Sequence, residues 1–244
     1  MALYVYGIVE AVARAPRGRG IADAPIRLVA GGDVAALVSE IGDEDVRLGR
    51  EEVLVHSRVL ERALERGAVL PMRLGVVMSG PEEVRERLLD EHGPELRAQL
   101  AELEGKVEIR IRGVYDEKSL LREVVREHPD IGALQESLRG ASEDASYYAR
   151  IRLGELVAGA VERRREHDAH VIVEALAAAS LGVEIGGATH ERVVVQASFL
   201  VERDRLDDFN AILDEVAGGY GGGIRFKYIG PLPPHSFVQL AGTA

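Results

Sequence analysis

Apolar residues run without interruption through Leu3-Tyr4-Val5-Tyr6-Gly7-Ile8-Val9, and the run closes on a loop holding Pro16, Gly18 and Gly20. A β-branched and aromatic run of that length predicts an opening strand. Two short apolar stretches, residues 26–30 and 34–39, flank Gly31-Gly32-Asp33, a hairpin signal. Over residues 50–66 the spacing changes to helical: Val53, Val59, Leu60, Ala63 and Leu64 form a stripe with Arg58, Glu61 and Arg62 outside it, and Gly67 supplies the stop. Residues 68–77 read as a strand again. Pro71 cannot donate a ladder hydrogen bond, so this strand belongs at an edge or at a bulge.

Pro81, followed by Glu82 and Glu83, opens a charged helical region that reaches about Leu103. Lys106-Val107-Glu108-Ile109-Arg110-Ile111-Arg112 then alternates strictly, which predicts a half-buried strand with Val107, Ile109 and Ile111 inward. Helical stretches follow over 117–128 and 130–139. Residues 146–180 contain almost no breaker apart from Gly154 and Gly159; as one helix they would run roughly 50 Å. Such a helix must break or project as an arm. Residues 181–185 and 192–201 read as strands joined through Gly186-Gly187-Ala188-Thr189. Asp204 is placed to N-cap a helix with the stripe Leu206, Phe209, Leu213 and Val216, and residues 224–229 close as a strand.

From Val107 onward the order is strand, helices, strand, strand, helix, strand, the split βαβ or ferredoxin-like order. The first half is a looser version of the same theme. The expectation is an α+β chain of two domains, each a ferredoxin-like variant. An N-terminal domain spans 1–105, and a C-terminal domain of 106–244 carries the long helix, extra helices and a proline-rich terminal strap.

Composition narrows the function. The 244 residues are 46% hydrophobic and 29% charged, enough for packed cores and unlike a disordered tail. A net charge of −11 repels nucleic acid and anionic lipid at long range, and 5% aromatics without tryptophan argue against stacking platforms for single strands. Cysteine is absent, which removes disulfides, thiolate metal sites and cysteine nucleophiles together. No signal-peptide pattern opens the chain, and the apolar stretch 171–181 is interrupted by Glu174 and too short to span a bilayer. A cytoplasmic protein is expected.

Candidate chemistry is sparse. Gly218-Gly219-Tyr220-Gly221-Gly222-Gly223 follows a helix and precedes a strand, the reverse of a phosphate loop, so it reads as a connection. His167 and His170 share a helix face without further ligands in His-Glu-x-x-His spacing, and their neighbours look solvated. His56 lies on the apolar stripe and reads as a satisfied core or interface histidine. No catalytic residue, metal site or cofactor site is expected. Arg73, set among apolar residues in Leu70-Pro71-Met72-Arg73-Leu74-Gly75, must snorkel or pair. Gly230-Pro231-Leu232-Pro233-Pro234-His235-Ser236-Phe237 should run as polyproline II, either a strap packed on the domain or a docking segment.

Five of these segments, in order, carry a resemblance. They are the opening run with Tyr4, Tyr6 and Gly7; the helix bearing His56 that leads into Pro71, Met72, Arg73 and Gly75; the strand from Gly105; Ala197-Ser198-Phe199-Leu200-Val201-Glu202-Arg203-Asp204; and the strap with Gly230, Pro231, Pro233, Pro234 and Phe237. Together they resemble the gas vesicle protein GvpL/GvpF family over nearly the whole chain. The chain departs from the family pattern at Leu74, Leu232 and His235, where the family carries aromatics. The resemblance implies a non-catalytic accessory protein of gas vesicle assembly in the cytoplasm or on the vesicle. It also implies binding to the hydrophobic shell protein GvpA, chaperone-like or as a minor structural component, and to other accessory proteins. Nucleic acid and membrane are not expected partners. From residues alone, a small-molecule-sensing ferredoxin-like module is the alternative.

Overall fold

A computed structural model describes residues 1–42, 49–140, 142–187, 190 and 192–239. Its contacts divide the chain into two compact units, Met1–Ile109 with Leu200–Asp204 and Gly230–Ala244, and Arg110–Phe199 with Arg205–Ile229. Both are mixed α and β.

In the first unit, β1 (Ala2–Glu10) pairs antiparallel with β3 (Val34–Ile41), which pairs with β2 (Ile26–Gly31). The β2–β3 hairpin turns at Gly32-Asp33, with Gly32 at φ 60°. On the other side of β1 lie two-residue edge strands, β4 (Leu70–Pro71) and β5 (Val77–Met78), which gives the order β2-β3-β1-β4 with β5 also on β1. Pro71 therefore sits at an edge, where its missing N–H costs nothing.

The opening run is continuous because β1 is buried on both faces. Helix α1 (Arg50–Leu64) covers one face. The other carries a turn of α2 (Pro81–Glu83), a π-helical stretch Val84–Asp90 and α3 (Glu91–Glu102). Leu3, Val5 and Ile8 join the cluster built with Val84, Leu89, Leu96 and Leu100. The step from Val5 to Ile8 breaks simple alternation, and the cause is a bulge between Val5 and Gly7. The bulge turns Gly7 toward α1. A Cβ there would stand 2.7 Å from the Leu70 carbonyl oxygen and 2.8 Å from Leu60 Cδ2.

The π stretch has a local cause downstream. Pro94, inside α3, has no N–H for the Asp90 carbonyl, and its ring would clash there in a regular α-helix. The π stretch ends at Asp90. Helical periodicity had no signal for it. On α1, Val53 is 43% exposed and so lies off the buried stripe formed by Val59, Leu60, Ala63 and Leu64.

In the second unit the four-stranded antiparallel sheet has the order β7-β8-β6-β9, formed by β6 (Lys106–Tyr115), β7 (Gly182–Ile185), β8 (Val193–Glu202) and β9 (Ile224–Leu232). The chain ends of β6, β8 and β9 count with the first unit. Between β6 and β7 come α4 (Glu117–Glu127), α5 (Pro129–Ser137) and α6 (Glu143–Ala177). Asp116 caps α4 by accepting from Ser119 N at 3.0 Å. The 35-residue α6 does not break. It packs against α4, α5 and α7 (Leu206–Gly219).

Three local expectations change. Asp204 is not the N-cap of α7: it lies in a 3-10 turn, Arg203–Arg205, and α7 starts after Arg205 without a side-chain cap. The strap is not one polyproline II segment, since β9 runs on through Gly230, Pro231 and Leu232, and His235–Phe237 forms a 3-10 turn. Strict alternation on β6 fails at Glu108, which is fully buried because the strap covers it. Of the β7–β8 connection, Ala188 and Thr189 lie outside the described residues.

Gly7→Ala should lower unfolding free energy by about 1–3 kcal/mol through overpacking. Gly93→Ala, in α3 with no atom within 4 Å of the added carbon, should raise it by up to about 1 kcal/mol. Urea denaturation of the two variants beside the parent checks both signs.

Candidate functional site

The residues that carry the family-like pattern converge in the first unit. On the α1 side of β1, Tyr4 and Tyr6 are fully buried, with ring centroids 4.9 Å apart, and each lies 5.7 Å from the His56 ring. A buried hydroxyl needs partners, and each tyrosine has two. Tyr4 OH accepts from Gly75 N at 3.1 Å and lies 2.9 Å from His56 Nδ1. Tyr6 OH accepts from Ile21 N at 2.6 Å and donates to Ser39 Oγ at 2.9 Å.

His56 is 4% exposed. Burial pushes its pKa down to about 4, the nearby His235 adds to the depression, and a hydrogen bond to the Met72 backbone opposes it. At neutral pH the ring is uncharged, and the network assigns Tyr4 OH as donor to Nδ1 with Nε2–H directed at the Met72 carbonyl. This is the satisfied core histidine expected from its place on the stripe.

Pro71 and Met72 are buried beside this cluster, Gly75 takes φ 90°, and Arg73 reaches solvent. The strap meets the same unit. Ser236 donates from N at 2.7 Å and from Oγ at 2.9 Å to the buried Glu108 carboxylate. Gly230 has φ 155°, and a Cβ there would stand 2.6 Å from Ile109 Cδ1. Pro233 and Pro234 are buried, Pro231 is exposed, and Phe237 packs against the core cluster. Gln99 reads the strap as a strand would, donating from Nε2 to the Gln239 carbonyl at 2.6 Å and accepting from Gln239 N at 3.0 Å. Arg203 donates from its guanidinium to the Leu64 carbonyl at 2.9 Å and from its backbone N to the Gly105 carbonyl at 2.8 Å. Phe199 lies apart from this group, in the second unit's core, 5.5 Å from Phe209.

A second polar cluster went unread in the sequence. Asp168 of α6, 5% exposed, accepts from Tyr115 OH at 2.6 Å and from Tyr220 OH at 3.4 Å. Arg164, one turn earlier, pairs with Glu123 at 2.6 Å and Glu127 at 2.8 Å on α4, and with Asp168 at 3.4 Å. Burial and the Asp168 carboxylate hold the Tyr115 hydroxyl well above the ordinary phenol range and push Tyr220 up to about 12. Both tyrosines stay protonated and tie α6 to β6 and to the end of α7. The run Arg163-Arg164-Arg165-Glu166 looked uniformly solvated; the i, i+4 spacing of Arg164 and Asp168 was the available signal. His167 and His170 are not drawn into this cluster, and His170 Nε2 faces Glu174 at 3.3 Å. Among the described residues no group of three His, Asp or Glu side chains has metal-holding geometry. No helix among them is long and apolar enough to cross a membrane.

Residues 2–239 match the family described as gas vesicle synthesis protein GvpL/GvpF. The chain belongs to the GvpL/GvpF family. It is 36% identical over 243 residues to gas vesicle protein F of Streptomyces sp. (strain CB03234), covering 98% of this chain and 100% of that protein. To gas vesicle protein F of Dolichospermum flosaquae it is 24% identical, covering 98% of each. The crystal structure of GvpF from Anabaena sp. PCC7120 superposes with a TM-score of 0.86 at 23% identity, covering 98% of this chain and 99% of that one, and so shows the same fold. Membership in GvpL/GvpF supports an accessory role in gas vesicles.

His56 binds its proton near pH 6.5 in the unfolded chain but only near 4 in the fold. Between those values the unfolded chain holds more protons, so stability is complete above pH 6.5 and falls on acidification, by up to about 3 kcal/mol at pH 4. Denaturant titrations at the two pH values should give a smaller acid loss for His56→Gln than for the parent. Glu108→Ala leaves Ser236 N without its partner and should cost about 2–3 kcal/mol. Limited proteolysis should then cleave before Phe237 at protease levels that spare the parent.

Proposed function

We propose that this protein is an assembly factor of gas vesicles that binds the hydrophobic shell protein GvpA, chaperone-like or as a minor structural component, and works with other accessory proteins at the vesicle and in the cytoplasm. The observation that carries this reading is the family match over residues 2–239. Physical support comes from what such a client needs. An unassembled apolar subunit exposes helices and strand edges, and a binder must offer apolar surface while staying dispersed. The −11 charge serves the second requirement.

Of the surfaces the sequence offered, Val193-Val194-Val195 is withdrawn, because all three are buried in β8, an inner strand of its sheet. Edge strand β5, with Val77 45% exposed, and helix α6 are accessible. In this reading the motif residues around Tyr4, His56 and Glu108 serve binding indirectly, by holding the frame on which exposed Arg73 and Pro231 stand.

We also read the second unit as a ferredoxin-like domain. The sheet order β7-β8-β6-β9, with helices between β6 and β7 and again between β8 and β9, supports this. The first unit is a more distant variant, since its first three strands follow one another with only a 3-10 turn between β1 and β2.

Co-expression of the tagged full chain with GvpA should bring GvpA into the soluble fraction and into the affinity eluate at near-stoichiometric yield. GvpA remaining wholly insoluble and absent from the eluate would sink the reading.

A further inference from the structure

Helix α6 leaves an apolar band uncovered between its first turns and α4. Tyr147, Ile151, Gly154 and Ala158 fall on one stripe at i, i+4, i+7 and i+11. Tyr147 is 60% exposed and Ile151 46%, and Leu121 across the groove on α4 is 41% exposed. Leu153, Val157 and Val161 form the inner wall of this groove, which encloses about 660 Å³.

Gly154 is the informative residue. In a helix interior glycine costs about 1 kcal/mol against alanine, a cost accepted where something approaches closely. Nothing in the chain does so: no atom lies within 4 Å of where a Gly154 Cβ would stand. The open floor at Gly154 and Ala158 has the depth for the side chains of another helix.

The rim has a sign. Arg150 donates from Nε to Ser146 Oγ at 3.0 Å and has no carboxylate partner among the described residues, whereas Arg152, Arg164 and Arg165 on the same helix are all paired. Across the groove Arg192 holds Glu117 only at 3.5 Å, with both side chains largely in solvent. In an acidic chain this is a local cationic border around an apolar floor.

From these features we propose that the α4–α6 groove is the docking site for an amphipathic helix of the hydrophobic client, its apolar stripe on Leu121, Ile151 and Leu153 and its acidic flank beside Arg150 and Arg192. The proposal rests on the client-binding reading above. It adds the surface, the secondary structure and the charge of the bound segment.

The test uses the full chain, with GvpA as the probe in co-expression capture. Gly154→Leu fills the floor without touching the fold, so it should cut captured GvpA at least tenfold while the melting temperature stays level or rises. Arg150→Glu reverses the border and should cut capture at least threefold; it decides the matter if Gly154→Leu proves unstable. Parental capture with both variants folded and equally active would overturn the groove and leave the client-binding reading standing. No capture by the parent would overturn that reading and the groove with it. Loss of a parental dimer in Gly154→Leu with capture intact would place a second copy in the groove and also overturn the proposal.

Discussion

Burying a phenol hydroxyl without a partner costs more than its ring gains, and the first unit is organised around avoiding that cost twice. Tyr4 and Tyr6 point from β1 into an apolar layer, and their oxygens are met by Gly75 N, His56, Ile21 N and Ser39, groups drawn from four separate segments. Each donor fixes a loop that would otherwise be free to wander. The bulge between Val5 and Gly7 makes this geometry available, because it turns Tyr6 and Gly7 to the α1 side in succession while Ile8 returns to the other core. A neutral His56 is part of the same arrangement, since a protonated ring could not accept from Tyr4.

The second unit solves a different problem with similar means. A helix of 35 residues has more surface than its neighbours can cover, so its orientation must be fixed by a few directed contacts. Asp168 and Arg164 provide them, linking α6 to β6, α4 and the turn after α7 within about one helical turn. Toward its N-terminal end α6 lacks such anchors, and there its apolar side chains face water.

Much of this was legible in local pattern. The opening strand, the Gly31-Gly32-Asp33 hairpin, the edge position of Pro71 and the unbroken reach of α6 all follow from the residues themselves, because each is decided within a few positions of chain. His56 was legible as a core residue for the same reason. What pattern could not reach was decided by partners far along the chain. Glu108 looked like the outward member of an alternating strand, and its burial depends on Ser236, 128 residues later. The π-helical stretch is local, yet it arises from a proline four residues beyond its end, which helical periodicity does not register. Asp204 had the right chemistry for a cap, but a 3-10 turn places the helix start two residues on. The Asp168 cluster hid within a run of charges that looked uniformly wet.

The strap's attachment to Glu108 sets an order in time as well as in space. A ribosome finishes β1 through α3 early, then makes the whole of Arg110–Phe199 before the residues that cover the Glu108 carboxylate exist. Until Ser236 and Phe237 emerge, the first unit carries an uncovered acidic group at the margin of its apolar core. Its closure is therefore a post-synthetic event, and only a chain translated to its last residues completes the half it began with.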